Sequence, residues 1–242
     1  FRSVNLLGEV VLGNGEADHR YRHYLEALES PDINYISVKI SGIYAQTHAL
    51  NYEESFPELI SRMSALYQKA IDFPYTDEEG VRRSKFINLD MEEYKDTHFT
   101  LRLFKTVLSL PQFKNYSAGI VVQAYLPDAY DFQTELIEFA KARVAEGGAP
   151  IKMRLVKGCN LEMETVISSL RGWPNPIRPS KEEVDANYLH LLERALMPEN
   201  ARVLHLGVAS HNLFSIAYDP IVLGLGPDLP WADEPSPGNL RL

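Results

Sequence analysis

The chain has 242 residues, a formal net charge of −9 and a single cysteine, Cys159. The acidic balance argues against a non-specific nucleic-acid partner, because such binding relies on clustered lysine and arginine. A lone cysteine allows neither an intramolecular disulfide nor a cysteine-rich zinc site, which favours a reducing, cytoplasmic compartment. No apolar run approaches the roughly 20 residues of a membrane-spanning helix. We therefore expect a soluble protein, with peripheral membrane contact left open.

Short strand-like segments alternate along the chain with longer helical ones. Strands are predicted at 3–9, 34–42, 85–92, 119–125, 151–158 and 202–211. They are largely apolar and rich in Val and Ile, a pattern typical of parallel strands covered on both faces. Amphipathic helices are predicted at 19–28, 56–71, 100–108, 132–148 and 180–196. The last of these helices opens with a capping box formed by Ser180 and Glu183.

Three segments fall outside this alternation. The polar segment 72–85 is predicted to be an exposed loop or a helix extension, and the Pro- and Gly-rich tail 221–242 to be extended or disordered. Gly13 and Gly15 form a G-x-G pattern without the third glycine or the acidic partner of a dinucleotide fingerprint. These two glycines are therefore predicted to lie in a loop.

Polar or ionisable side chains mark the carboxyl end of every predicted strand. They are Asn5, Glu9, Lys39, Asp90, Glu92, Gln123, Arg154, Lys157, Ser210 and His211. Six strand–helix units in series imply right-handed crossovers and a parallel sheet, either open or closed. A closed barrel would gather all these strand ends around one axis, whereas an open sheet would spread them along a crevice. The pattern therefore favours a (β/α) barrel.

Two cations and a glycine end the strand at 151–158. Arg154 and Lys157 point to opposite faces unless Lys157 already lies in the turn, and Gly158 lets the backbone approach a neighbouring group closely. Salt bridges to surface carboxylates are one interpretation of the two cations. An anionic ligand such as a phosphate or a carboxylate is the other.

Lys39 and two carboxylates are further candidates for a site. Lys39 is flanked by apolar residues, so it is either the exposed end of a strand or a buried cation that needs a partner. Asp90 and Glu92 are predicted to share one face of a strand. Oxygen ligands of this kind suit a hard metal ion, but no compact His-rich spacing supports one, which favours a pair that serves the cations or is solvated.

Six short motifs, taken in order, resemble the flavin-dependent proline dehydrogenase family. They are "VNLLGE", "ISVKIS", "NLDMEE", "VVQAYLP", "RLVKG" and "GVASHN". The stretch from "RLVKG" to "GWPNP" is especially similar to the proline dehydrogenase domain of the bifunctional bacterial proline utilization enzymes. The resemblance implies an α/β fold, a distorted (β/α)8 TIM-like barrel over 1–220, and leaves 221–242 unassigned. The family's last two strands and its final helix with an arginine pair have no counterpart in this sequence.

The resemblance also implies roles for individual residues. FAD would be bound by Gln123, Arg154, Lys157, Gly158 and His211, with Arg154 at the flavin and Lys157 towards the phosphates. The substrate would be bound by Lys39, Asn5 and Glu9, and Lys39 would pair with the carboxylate of L-proline. Lys39 and Asp90 would be the catalytic residues, and no metal is implied.

The family reaction passes a hydride from L-proline to flavin N5 and gives Δ1-pyrroline-5-carboxylate. A quinone then takes the electrons, which implies a cytoplasmic protein that contacts the inner membrane peripherally. Two alternatives stay open. One is a flavin-free barrel enzyme that holds an anionic metabolite with Arg154 and Lys157 and uses Asp90 with Glu92 as acid–base or metal groups. The other is an inactive truncated domain. The sequence leaves open the oligomeric state and the choice between proline and hydroxyproline.

Overall fold

The computed structural model describes the backbone of residues 3–5 and all of residues 13–45 and 51–209. The chain divides into two compact units, Phe1–Ile120 and Val121–Leu242. No helix within the described ranges is both long and apolar enough to cross a membrane. The predicted boundary of a domain at residue 220 lies outside the described residues and stays a prediction.

The first unit is built on parallel strands with helices between them. Its strands are β1 (Ser3–Asn5), β2 (Tyr35–Val38), β3 (Tyr75–Thr76), β4 (Arg82–Arg83), β5 (Phe86–Leu89) and the start of β6 (Gly119–Gln123). Its helices are α1 (Asn14–Glu29), α2 (Ile40–Ile43), α3 (Tyr52–Asp72) and α4 (Thr97–Leu108). Short 3-10 turns lie at Tyr94–Asp96 and Pro111–Phe113.

Register in the first unit aligns the strand ends. The parallel order is β1, β2, β5 and then the start of β6. Ser37 of β2 lies opposite Asn5 on one side and opposite Asn88 on the other. Every residue of β5 is buried, and α3 packs an apolar face that includes Leu59, Met63 and Leu66 into the core. The residues that follow β2 and β5 therefore emerge side by side at one edge.

The second unit continues the alternation. After the end of β6 it contains α5 (Ala129–Ala145), β7 (Ile151–Val156), α6 (Leu161–Arg171), α7 (Lys181–Leu196), α8 (Pro198–Ala201) and β8 (Leu204–Val208). β7 and β8 are parallel, with Arg154 opposite Gly207. The end of β6 lies beside the end of β7, where the N–H of Ala124 donates to the carbonyl of Val156 at 2.8 Å. The predicted Ser180 cap of α7 is confirmed, since its hydroxyl accepts the N–H of Glu183 at 3.2 Å.

The structure confirms the parallel strands but corrects several details. Residues 40–43 form α2, so the predicted strand 34–42 ends at Val38. Gly15 lies in α1 and Gly13 is its N-cap, so these residues open a helix rather than a loop. Buried and half-buried residues alternate along β7, so this strand is not covered equally on both faces as predicted.

The segment 72–85 was predicted to be a loop or a helix extension, but it forms the antiparallel hairpin β3–β4. A carboxylate oxygen of Asp77 accepts the N–H groups of Glu79 and Val81, and Gly80 adopts a φ of 79°. An aspartate that bonds backbone two residues ahead, followed by a glycine with positive φ, is a common way to close a tight turn. Local turn chemistry therefore overrides the polar composition of this segment.

Helix α6 had no predicted counterpart. Its apolar side chains Leu161, Met163, Val166 and Leu170 are exposed, while Glu164 and Ser168 are buried. A search for an apolar buried face misses a helix with this reversed pattern.

Candidate active site

Lys39 is the first residue after β2 and caps the N-terminus of α2. Its side chain is half-buried. The backbone N–H of Lys39 donates to the hydroxyl of Tyr24, which α1 places in the core with 3% of its surface exposed. Gly42 leaves room for this hydroxyl, because a Cβ there would lie 3.3 Å from it. Tyr24 therefore fixes the backbone that carries Lys39.

Asp90 is buried immediately after β5. Its N–H donates to the carbonyl of Val38 at 2.8 Å, and its Oδ1 accepts the side-chain amide of Asn88 at 2.7 Å. The backbone bond to Val38 brings Asp90 beside the residue that precedes Lys39. The first unit thus gathers Lys39 and Asp90, both predicted as catalytic, at one edge of its strands.

Glu92 was predicted to share a strand face with Asp90, but β5 ends at Leu89 and both carboxylates follow the strand. One oxygen of Glu92 accepts the hydroxyl of Ser41 at 2.6 Å, and the other accepts the backbone N–H of Ser41 at 3.1 Å. Glu92 is therefore engaged at the start of α2. This engagement ties the segment after β5 to the turn that carries Lys39.

The electrostatic environment of Tyr24 reflects this arrangement. Burial is the main cause that raises the pKa of Tyr24 to about 12, and the charges of Asp90 and Glu92 act in the same direction. The backbone of Lys39 and the charge of Arg20 act in the opposite direction. A carboxylate near a phenol disfavours the phenolate by charge repulsion. Tyr24 therefore remains a neutral phenol at physiological pH.

Arg154 lies in β7 of the second unit and is half-buried. Lys152 lies two residues earlier on the same face of the strand. Burial, together with the charge of Arg154, lowers the pKa of Lys152 to about 8. Gly207, opposite Arg154 in β8, leaves room for Lys152, since a Cβ at Gly207 would lie 3.0 Å from Cε of the lysine.

Lys157 lies just beyond the end of β7, in the turn that the sequence left open as an alternative. Its ammonium forms an ion pair with Asp185 of α7 and lies 5.7 Å from the ring centroid of Tyr188. Both members of the ion pair are partly exposed. The salt bridge considered for this lysine is therefore present, and Asp185 sets the direction in which the ammonium points.

Gly158 adopts a φ of 138°, and its Cα lies directly against the ring of Tyr125. A Cβ at this position would be 2.5 Å from Cγ of Tyr125. The backbone of Tyr125 adds two bonds: its N–H donates to the carbonyl of Lys157, and its carbonyl accepts the N–H of Arg178, both at 2.8 Å. Tyr125 thereby holds the turn after β7 and the segment that leads to α7.

Gln123 is the last residue of β6 and is buried. Burial raises the pKa of Tyr125, the nearby charges of Glu164 and Cys159 raise it further, and the Gln123 side chain acts in the opposite direction. Asn187 of α7 donates to the carbonyl of Ala124 at 2.8 Å. The second unit thus brings together Gln123, Arg154, Lys157 and Gly158, all predicted to bind FAD.

Three predicted site residues receive no side-chain description. Asn5 lies in β1 opposite Ser37, but only its backbone is described. Glu9 and His211 lie outside the described residues, as does Ser210. Their predicted roles therefore stay predictions.

The sequence reasoning missed four residues that position the site. They are Tyr24, Tyr125, Asp185 and Asn187. One signal was present in the sequence: Asn187 is a polar residue beside Tyr188 on the apolar face of α7, where it is buried. A polar residue at a core position needs a hydrogen-bond partner, and the search for that partner leads to the end of β6.

We predict that Gly158→Ala destabilises the fold strongly, because the new Cβ would meet the Tyr125 ring on a backbone that side chains rarely adopt. The expected cost is more than about 2 kcal/mol of unfolding free energy. Gly172→Ala is the matched control: its φ is also positive, at 64°, but no atom lies within 4 Å of its Cβ position. The control should cost about 1 kcal/mol. If urea unfolding shows that both variants lose the same unfolding free energy, the packing of Gly158 against Tyr125 is contradicted.

We predict that Lys152→Met stabilises the protein at pH 7 and that this gain shrinks at higher pH. The folded-state pKa of Lys152 is lowered to about 8, whereas an unfolded lysine titrates near 10.4. Between these values the unfolded chain binds more protons, so wild-type stability rises with pH in that window. The effect is measured as the midpoint of urea unfolding of each variant and of the wild type, at pH values from 7 to 10. Lys141→Met, at an exposed position of α5, is the control, and an identical pH dependence of the two variants would refute the prediction.

Comparison with known proteins places the chain among proline dehydrogenases. The family model for proline dehydrogenase matches residues 2–220. The chain is 30% identical over 165 residues to mitochondrial proline dehydrogenase 1 of Homo sapiens, an alignment that covers 66% of this chain and 24% of the human protein.

Solved structures agree with this match. Proline utilization A from Corynebacterium freiburgense is 44% identical with a TM-score of 0.85, over 92% of this chain and 22% of that one. Proline utilization A from Bdellovibrio bacteriovorus is 33% identical with a TM-score of 0.78, over 92% of this chain and 24% of that one. The chain thus spans about a quarter of the length of its relatives. The predicted fold class is confirmed, and the chain belongs to the proline dehydrogenase family.

Proposed function

We propose that this chain is the proline-oxidising domain of an FAD-dependent enzyme that converts L-proline to Δ1-pyrroline-5-carboxylate. The observation that carries the proposal is the family match over residues 2–220, which includes the motifs around Lys39, Asp90, Gln123 and Arg154. The human relative is named as a proline dehydrogenase. The Bdellovibrio bacteriovorus relative is described as inactivated by N-propargylglycine, an amino acid.

In this proposal the first unit binds the substrate. The ammonium of Lys39 pairs with the carboxylate of proline, an interaction that both binds and orients the ring. Asp90, held by the amide of Asn88, supplies a buried carboxylate next to the Lys39 backbone. The backbone hydrogen bond between Lys39 and Tyr24 limits the movement of this turn, so less backbone freedom is lost when the substrate binds.

The second unit offers hydrogen-bond donors that fit FAD. Gln123 ends β6, Arg154 lies two residues before the end of the neighbouring strand β7, and Lys157 adds an ammonium in the turn that follows. Guanidinium, amide and ammonium groups suit the flavin carbonyls and the pyrophosphate of such a cofactor. When bound, FAD supplies the acceptor for the hydride that leaves proline. The protein's contribution is to bind both molecules, orient them and neutralise the carboxylate.

Lys157 has a particular place in this proposal. Its ion pair with Asp185 holds the ammonium at the edge of the turn, where it remains partly exposed. A partly exposed pair contributes little to stability, because water screens it. The ammonium can therefore donate to a phosphate oxygen as a further partner at small cost.

The flavin-free alternative required Asp90 and Glu92 as a pair of acid–base or metal groups. Both oxygens of Glu92 are engaged by Ser41. A carboxylate held in this way at the start of α2 is poorly placed to shuttle protons, which argues against the acid–base form of this alternative. A quinone as electron acceptor and a cytoplasmic location at the membrane periphery complete the proposal.

We predict that Arg154→Met lowers FAD retention in a folded protein. The substitution removes a charge-assisted donor, and loss of such a bond weakens binding by about 1.5–3 kcal/mol, or tenfold or more. The measurement is the ratio of bound flavin to protein, with circular dichroism as the test of folding. Arg202→Met, at an exposed position in the same unit, should leave the ratio unchanged. Wild-type flavin content in folded Arg154→Met would remove this role.

We predict that Lys39→Met raises the KM for L-proline at least tenfold while flavin content stays constant, because the substrate carboxylate loses its cation. Steady-state kinetics of the FAD-loaded protein measure the effect. Lys114→Met removes an exposed lysine from the same unit and serves as the control. An unchanged dependence of rate on proline concentration would exclude Lys39 from the carboxylate site.

A further inference from the structure

Helix α1 carries two histidines one turn apart, His19 and His23, and both are exposed. Their Nε2 atoms lie 2.9 Å apart, and the ring planes meet at 89° with centroids 4.3 Å apart. Side chains four residues apart on a helix share one face. The two ring nitrogens therefore lie on one exposed face of the helix at hydrogen-bond distance, so that without a ligand one Nε2 donates and the other accepts.

This distance matches a known coordination geometry. With metal–nitrogen bonds of about 2.0 Å, two nitrogens 2.9 Å apart subtend an angle of roughly 90° at a shared metal ion. Square-planar and octahedral ions use cis ligands at this angle, and copper(II) and nickel(II) prefer such sites with nitrogen ligands. A tetrahedral zinc ion would require the nitrogens to separate to about 3.3 Å. The distance therefore fits copper(II) or nickel(II) without movement of the rings, whereas zinc requires a small rotation.

Neighbouring charges support the arrangement. A carboxylate oxygen of Glu26 lies 3.4 Å from Nδ1 of His23. A carboxylate beside Nδ1 is a common companion of metal-binding histidines, because it orients the ring when Nε2 binds the metal. The adjacent cation Arg20 is offset by Glu16, whose carboxylate lies 2.8 Å from its guanidinium.

We propose that His19 and His23 form a two-histidine site for a divalent transition-metal ion, copper(II) or nickel(II), with water as the remaining ligands. The part of the chain that the structure describes holds no group of three or more His, Cys, Asp or Glu side chains that could hold a metal ion. Two protein ligands therefore define this site. The site lies on the exposed face of α1, whereas Tyr24 contacts Lys39 from the buried face.

The test is titration of the intact protein with Cu²⁺, followed by electron paramagnetic resonance. We expect one tightly bound ion per chain with two nitrogen ligands. His19→Ala and His23→Ala should each weaken its binding at least tenfold, because either change destroys the chelate. His190→Ala is the matched control, since it removes another exposed helical histidine whose ring neighbour is Tyr130.

A second measurement separates this site from histidines elsewhere in the chain. An ion that bridges successive turns binds only the folded helix, so Cu²⁺ should raise the thermal unfolding midpoint of the wild type and of His190→Ala. The midpoints of His19→Ala and His23→Ala should not respond. Wild-type affinity in both of these variants, or equal thermal shifts in all four proteins, would overturn the proposal.

Discussion

The contact between Tyr125 and Gly158 is the constraint on which the second unit depends. The ring lies where a Cβ of Gly158 would be, so only glycine allows the turn after β7 to pass this close. The backbone of Tyr125 bonds to Lys157 on one side and to Arg178 on the other. One buried aromatic residue thus sets the exit of β7, the position of the lysine that follows, and the segment that leads to α7.

Helices behind the strands position the candidate site residues in both units. In the second unit, α7 engages Lys157 through Asp185 and the end of β6 through Asn187. In the first unit, α1 holds the backbone of Lys39 through Tyr24. Parallel strands supply the edge on which charged groups collect, and the helices between them limit how those groups can move. Strands and helices together therefore hold the charged side chains in place. Such an arrangement suits an enzyme that binds and orients its substrate and does not need a nucleophilic side chain.

The sequence predicted the features of the fold that depend on local residue patterns. Apolar runs located the strands of the parallel sheet, and Lys39 and Asp90 directly follow strands as predicted. Arg154 lies within β7, two residues before its end. The ion pair of Lys157 with Asp185 joins residues 28 positions apart, and only the packing of α7 determines it. Helix α6 escaped prediction because its apolar residues face outward. Exact strand ends were also missed, since Ile40–Ile43 is apolar enough to suit either a strand or a helix.

Family membership and the two clusters of residues near the strand ends support the proposal that the chain binds FAD and oxidises L-proline. The most direct test is the visible absorbance spectrum of the FAD-reconstituted protein, recorded without oxygen before and after addition of L-proline. We predict a flavin band that bleaches when proline is added, because a hydride passes from the substrate to the cofactor. A protein that retains no flavin, or whose flavin band is unchanged by saturating proline, would contradict it.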